Sequence, residues 1–233
     1  MKLYVGTSGF AYKEWKGPFY PEKLPAKGML SFYAGKLPTV EINNTFYRMP
    51  KKEMLLGWRS EVPEDFTFVL KASQRITHIK RLKEVAEEVA YFFQCAEALS
   101  EQLGPSLFQL PPNLKKDLPR LTGFLGLIPK PHRVALEFRH ESWFSEDVYQ
   151  ALRDAGAALC IAEADDFACP FVPTAPWGYL RLRKTAYAPG ELAAWAKRLQ
   201  AAPWEEAYVF FKHEDAGDAP RLAAELRALL QGS

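Results

Sequence analysis

The stretch RVALEFRHESW, residues 133–143, decides the fold. Its first six residues are short, apolar and β-prone, and they run straight into charge and a polar turn. A strand buried on both faces reads this way, and such strands belong to parallel sheets covered by helices. Glu137 and Arg139 stand two residues apart, so they share one face of the chain as it leaves the strand.

The same pattern recurs on either side. Residues 3–7, 39–45 (TVEINNT), 66–71 (FTFVLK) and 106–110 (SLFQL) precede it, and 158–162 (ALCIA), 178–182 (GYLRL) and 207–211 (AYVFF) follow. Between them the apolar spacing changes to that of helices. Val85, Val89, Phe92, Phe93, Ala96 and Leu99 predict one amphipathic helix over 82–103, stopped by Gly104-Pro105. Residues 191–199 and 221–230 show the same spacing. Eight strand-helix units in 233 residues predict an α/β protein built as a single (β/α)8 TIM-like barrel, one domain over 1–233. An open doubly wound sheet is the rival, but neither GxGxxG nor GxxxxGK[ST] occurs.

Active sites of such barrels lie at the C-terminal ends of the strands. Those ends carry Glu41 and Asn43, Lys71, Gln109, Glu137 and Arg139, Glu163, Arg181 and Arg183, and Lys212-His213. A charge turned outward would lie beneath a helix, which is costly, so the pattern predicts a mouth lined by carboxylates and a larger number of cations. Clustered Arg and Lys hold anions such as phosphate, and nearby carboxylates serve as general acid, general base or metal ligand. A plain ion-pair network closing the barrel top is the structural alternative.

The long segment 8–27 follows the first strand and reads GFAYKEWKGPFYP from Gly9 to Pro21. Its aromatic residues, with Phe46-Tyr47 and Trp143-Phe144, form either a wall for a sugar or base or a lid packed on the rim. Thr7-Ser8-Gly9 offers hydroxyls and backbone N–H groups to an anion. His78, His140 and His213 follow strands, but no HxH or HExxH spacing is present. A divalent metal would therefore need ligands from distant strands, such as Glu41, Glu137, Glu163 and a histidine.

Composition narrows the classes. The chain is 48% hydrophobic, which excludes a disordered protein, and its net charge of +2 gives no global pull toward nucleic acid. No apolar run is long enough for a membrane span, and the start lacks a signal-like apolar stretch. Three scattered cysteines form no CxxC pair. These features predict a soluble cytoplasmic chain without a membrane partner.

Several blocks together resemble the YecE-like family, domain of unknown function 72. They are GTSGFAYKEWKGPFYP at 6–21, VEINNTFYRMP at 40–50, FVLKASQRITH at 68–78, LFQLPPN at 107–113 and ALEFRHESW at 135–143. The resemblance covers nearly the whole chain and implies a TIM-like barrel. It supplies no reaction, and the likeness of that fold to sugar isomerases and endonuclease IV-like phosphodiesterases is one of fold alone. The family positions carried over are Thr7, Glu41, Asn43, Tyr47, Lys71, His78, Gln109, Glu137, Arg139, His140, Trp143 and Arg181. The C-terminal strands depart from the family pattern by adding cations, notably Arg183 and Lys212.

The expectation is an enzyme acting on a phosphorylated or other anionic substrate, phosphoester hydrolase-like. Glu41 or Glu137 would be the base, and His78 or His140 the acid or proton shuttle. Thr7, Asn43, Tyr47, Lys71, Gln109, Arg139, Trp143, Arg181, Arg183 and Lys212 would bind the substrate. The alternatives are a module that binds a nucleotide or nucleic acid without catalysis, and a sugar isomerase-like activity. The cofactor is left open, with a divalent metal as one reading.

Overall fold

The computed structural model describes residues 1–212 and 217–231. Its strands are β1 (Lys2–Ser8), β2 (Thr39–Ile42), β3 (Thr67–Lys71), β4 (Leu103–Gln109), β5 (Val134–Glu137), β6 (Ala158–Ala164), the two-residue β7 (Phe167–Ala168), β8 (Trp177–Leu182) and β9 (Glu206–Phe211). All but β7 pair in parallel, and pairing of β5 with β6 closes them into an eight-stranded barrel. The helices are α1 (Met29–Ala34), α2 (Asn44–Tyr47), α3 (Lys52–Ser60), α4 (Ala86–Ala96), α5 (Leu118–Leu125), α6 (Glu146–Asp154), α7 (Pro189–Gln200) and α8 (Asp218–Gln231). The predicted TIM-like barrel is the fold found.

Two apolar layers hold it together, and the two-residue period of a strand separates them. Tyr4, Val69, Leu107, Ala135, Cys160, Tyr179 and Phe210 pack inside the barrel. Val5, Phe68, Leu70, Phe108, Leu136, Ile161, Leu180 and Val209 pack between barrel and helices. The inward row therefore continues to Ser8, Lys71, Gln109, Glu137 and Arg181 at the upper ends, two residues on from an inward neighbour.

Three expectations change. The helix predicted over 82–103 is shorter: Leu82 and Glu84 have φ of 64° and 48°, which a helix cannot contain. A second break at Ser100, φ 50°, interrupts the following short helical segment Glu97–Gln102, and Gly104-Pro105 lie inside β4 rather than after a helix. The strand predicted over 39–45 ends at Ile42, because Thr45 turns back. Its hydroxyl donates to the carbonyls of Ile42 and Lys71, which folds the chain into α2.

The sixth connection carries no helix among the described residues. β6 turns back through β7 as an antiparallel pair. The chain then returns beneath the barrel wall, where the Thr174 hydroxyl donates to Ala157 O and accepts from Leu159 N. These bonds satisfy backbone groups at the start of β6. No helix of the described residues is long and apolar enough to cross a membrane.

Candidate anion-binding site at the barrel mouth

A cavity of about 680 Å³ opens at the C-terminal ends of the strands. Beneath its floor lies an ion network, whose Arg139 and Arg181 line the cavity while the predicted catalytic residues Glu41 and Glu137 lie buried under them. The Arg181 guanidinium donates to Glu41 Oε1 at 2.8 Å and to Glu137 Oε2 at 2.7 Å. Arg139 reaches the other Glu137 oxygen. Ser8 Oγ donates to Glu41 Oε1 at 2.7 Å, and the Tyr179 hydroxyl to Oε2 at 2.6 Å. Glu41, Glu137 and Arg181 are buried, so this network is tied together by charges that water cannot screen.

Burial pushes the Glu137 carboxyl up, but Arg181, Arg139, Arg183 and Lys71 outweigh it and hold it at about 2. Glu137 is an anion at neutral pH and a weak proton acceptor. Burial, and then the Glu41 charge, push the Tyr179 phenol well up, so it stays a donor.

Above the floor the walls are cationic. Among the described residues, Lys71, Arg139, Arg181, Arg183 and Lys212 line the cavity, against one acidic wall residue, Asp166. Lys71 is buried, and its Nζ lies 4.0 Å from the centre of the Phe46 ring. Burial, and then the Arg181 charge, lower its amine to about 8, although Glu137 and Glu41 pull the other way. Burial also lowers Arg183, helped by Arg139 and Arg181. Neither Lys71 nor Arg183 has a carboxylate at ion-pair distance among the described residues. Asn43 Nδ2 and the Nε atoms of Arg139, Arg181 and Arg183 are buried donors without an acceptor among the described residues. All four of these side chains line the one cavity.

Of the predicted binding residues, Asn43, Tyr47, Lys71, Gln109, Arg139, Arg181, Arg183 and Lys212 come together in this lining. Thr7 does not. It stands on the outward row of β1, where its hydroxyl donates to Gly9 O and meets the Tyr33 hydroxyl of α1 at 2.8 Å. Trp143 is a core residue. It stacks on Phe138 with ring centres 4.7 Å apart and donates to Leu114 O, so it offers no face to a ligand.

His78 and His140 do not line the cavity. His78 packs edge-on against Phe46, and burial with the Lys71 and Arg81 charges lowers its ring below the usual histidine range. His140 Nδ1 accepts from Ser142 N and holds the short turn Glu141–Trp143. Glu163 is also misplaced by the sequence reading. Ala162 takes the inward position on β6, so Glu163 faces out and accepts from Trp195 Nε1 of α7 at 3.0 Å. His213 lies outside the described residues.

The aromatic segment after β1 is mostly lid. Trp15 and Tyr20 are fully buried, and Phe19 packs against Tyr20, Phe32 and Tyr33. Only Tyr12 of that segment reaches the mouth. Gly9, with φ +90°, makes the turn that brings it there, and the Tyr12 hydroxyl donates to Ser8 O at 2.8 Å. Sequence reasoning raised Ser8 in an anion-binding turn and Tyr12 and Phe46 in a possible aromatic wall, and it passed over Asp166, Phe167 and Tyr179. The two-residue period that marks Arg181 also marks Tyr179, and it was the available signal for that residue.

Metal ligation has little to use here. Among the described residues no group of three His, Cys, Asp or Glu side chains comes together, and both floor carboxylates already face guanidinium groups.

Comparison with known proteins places the chain. It is 29% identical to the UPF0759 protein YecE of Escherichia coli K12 over 147 residues, 62% of this chain and 51% of that protein. It is 31% identical to the UPF0759 protein YunF of Bacillus subtilis over 160 residues, 64% of this chain and 54% of that one. The matched chain thus spans about half the length of these relatives. A DUF72 family protein of Thermotoga maritima has a similar structure, with a TM-score of 0.82 and 27% identity over 99% of this chain and all of that one. A DUF72 family protein of Enterococcus faecalis matches with the same score at 21% identity, covering 99% and 96% of the two chains, which speaks to the fold alone. The model of the family described as "Protein of unknown function DUF72" matches residues 4–233, and the chain belongs to that family.

Proposed function

We propose that this protein is an enzyme whose substrate is a phosphorylated small molecule, with the phosphate held at the barrel mouth by Arg139, Arg181 and Arg183. One observation carries the reading: four buried donors, Asn43 Nδ2 and three guanidinium Nε atoms, meet no acceptor among the described residues, and the side chains that carry them all line one cavity. A buried donor left unmade costs roughly 1–3 kcal/mol. An acceptor-only, multiply charged group such as phosphate relieves several at once.

The geometry bears on the reaction class too. Phosphoester hydrolysis asks Glu41 or Glu137 to take a proton from water. Both carboxylates are engaged by Arg181, and Glu137 is held far below the range of a useful base. That favours the phosphate as a binding handle over the phosphate as the reacting group. Tyr47 stands exposed at the rim, where a nucleotide's base would stack.

Titration calorimetry at low ionic strength tests the reading with inorganic phosphate, a sugar phosphate and a nucleoside monophosphate. Saturable binding is expected, weakened roughly 10-fold or more by Arg183→Ala, in keeping with a charge-assisted hydrogen bond of about 1.5–3 kcal/mol. Absence of binding, or equal binding by the folded variant, would overturn it. A gain from sugar phosphate to nucleotide would assign the rim aromatics to a base.

A further inference from the structure

We propose that Lys71 is a nucleophilic amine that forms an imine with the carbonyl carbon of a phosphorylated aldehyde or ketone bound in the mouth. This rests on the phosphate-handle reading and names the reacting group.

The placement comes from β3. Val69 faces the barrel interior, so Lys71, two residues later, faces the mouth from the last position of the strand. Its backbone is fixed, because the Thr45 hydroxyl donates to the Lys71 carbonyl at 2.7 Å. Its side chain is buried with the amine over the Phe46 ring and without an ion-pair partner among the described residues. The charged groups acting on it are Arg181, Glu137, Glu41 and Lys212, and His78 lies close enough to feel its charge. Desolvation beside another cation is the setting that makes a lysine nucleophilic.

Lys71 faces a cavity whose other cations can hold an anion. Its amine, lowered to about 8, is neutral in a fraction on the order of a tenth or more near pH 7.5. A lysine at about 10.4 is neutral in roughly one part in a thousand there. The difference is large enough to select Lys71 among the protein's lysines.

The chemistry balances without a co-reactant. The neutral Nζ adds its lone pair to the carbonyl carbon, and the carbonyl π pair moves to oxygen. A proton passes from nitrogen to that oxygen, giving the carbinolamine. Loss of water breaks the C–O bond and forms the C=N bond. Nothing is oxidised or reduced, and hydrolysis restores the amine. The imine nitrogen, once protonated, holds its charge near Glu137 and Glu41.

Pyridoxal 5′-phosphate serves as a phosphorylated aldehyde probe. The full chain is incubated with it, reduced with borohydride and mapped by peptide mass spectrometry, with pyridoxal as the unphosphorylated control and inorganic phosphate as competitor. Expected is reductive labelling of Lys71 at least 10-fold above any other lysine, weaker with pyridoxal and suppressed by phosphate. Lys71→Arg and Lys71→Met, both checked for a native melting transition, lose that label. Labelling of exposed lysines with Lys71 untouched overturns the amine role, while phosphate binding measured separately leaves the handle standing. Equal labelling of Lys71 by both aldehydes, unaffected by phosphate, overturns the handle and keeps the reactive amine.

Discussion

Lys71 sits where burial and Arg181 both oppose its charge, so it is a residue kept against stability. Its folded pKa lies below the unfolded value near 10.4, so the unfolded chain binds the extra proton between about pH 8 and about pH 10. The penalty is complete below pH 8 and fades as pH rises through that window. Lys71→Met removes it. Denaturation followed in parallel should show the variant melting roughly 2–4 °C higher at pH 7, what about 1 kcal/mol gives in a chain this size. The gap should narrow toward pH 10. A variant melting below the wild type at pH 7 would contradict the assignment.

At this scale, sequence reading succeeds where a side chain continues a strand's inward row. Lys71, Gln109, Glu137, Arg181 and Arg183 all do. It fails by a single residue at Glu163, because the inward row of β6 runs Ala158, Cys160, Ala162 and leaves Glu163 on the outward face. It fails again at Trp143 and His140, which lie in a turn beyond β5 where no period applies.

Gly6 shows how closely the elements themselves approach. A Cβ there would lie 2.1 Å from the Thr39 carbonyl oxygen, an atom of the neighbouring β2 backbone that cannot rotate away. Gly6→Ala must push β1 and β2 apart, and both carry floor residues, Ser8 and Glu41. Overpacking of this kind costs about 1–3 kcal/mol. Urea denaturation should show that loss, together with weakened phosphate binding; unchanged stability would mean the strands are not so close. The strands were readable as short apolar runs because each is covered on both sides. The helix over 82–103 was over-read because its apolar spacing runs through two backbone breaks, at residues 81–84 and at Ser100, that no spacing reveals. The missing sixth helix was equally hidden, since the chain there turns back through the two-residue β7 instead.

Over the whole molecule, the near-neutral balance of 30 basic and 28 acidic residues conceals a division. Cations gather at one end of a closed barrel, over a floor whose carboxylates are already paired. The strand count was enough to find the barrel, and the likeness to the Thermotoga maritima structure agrees with it. What the count could not supply is which charges pair with each other, because that depends on contacts such as Arg181 to Glu41 across 140 positions of chain. Arg139 and Arg183, whose Nε donors meet no acceptor among the described residues, are placed to hold an anion. A crystal soaked in tungstate, a heavy analogue of phosphate, tests this central claim most directly. The account predicts tungstate within hydrogen-bond distance of Arg139 and Arg183, displaced by added phosphate. A mouth without tungstate in crystals that bind it elsewhere would contradict the account.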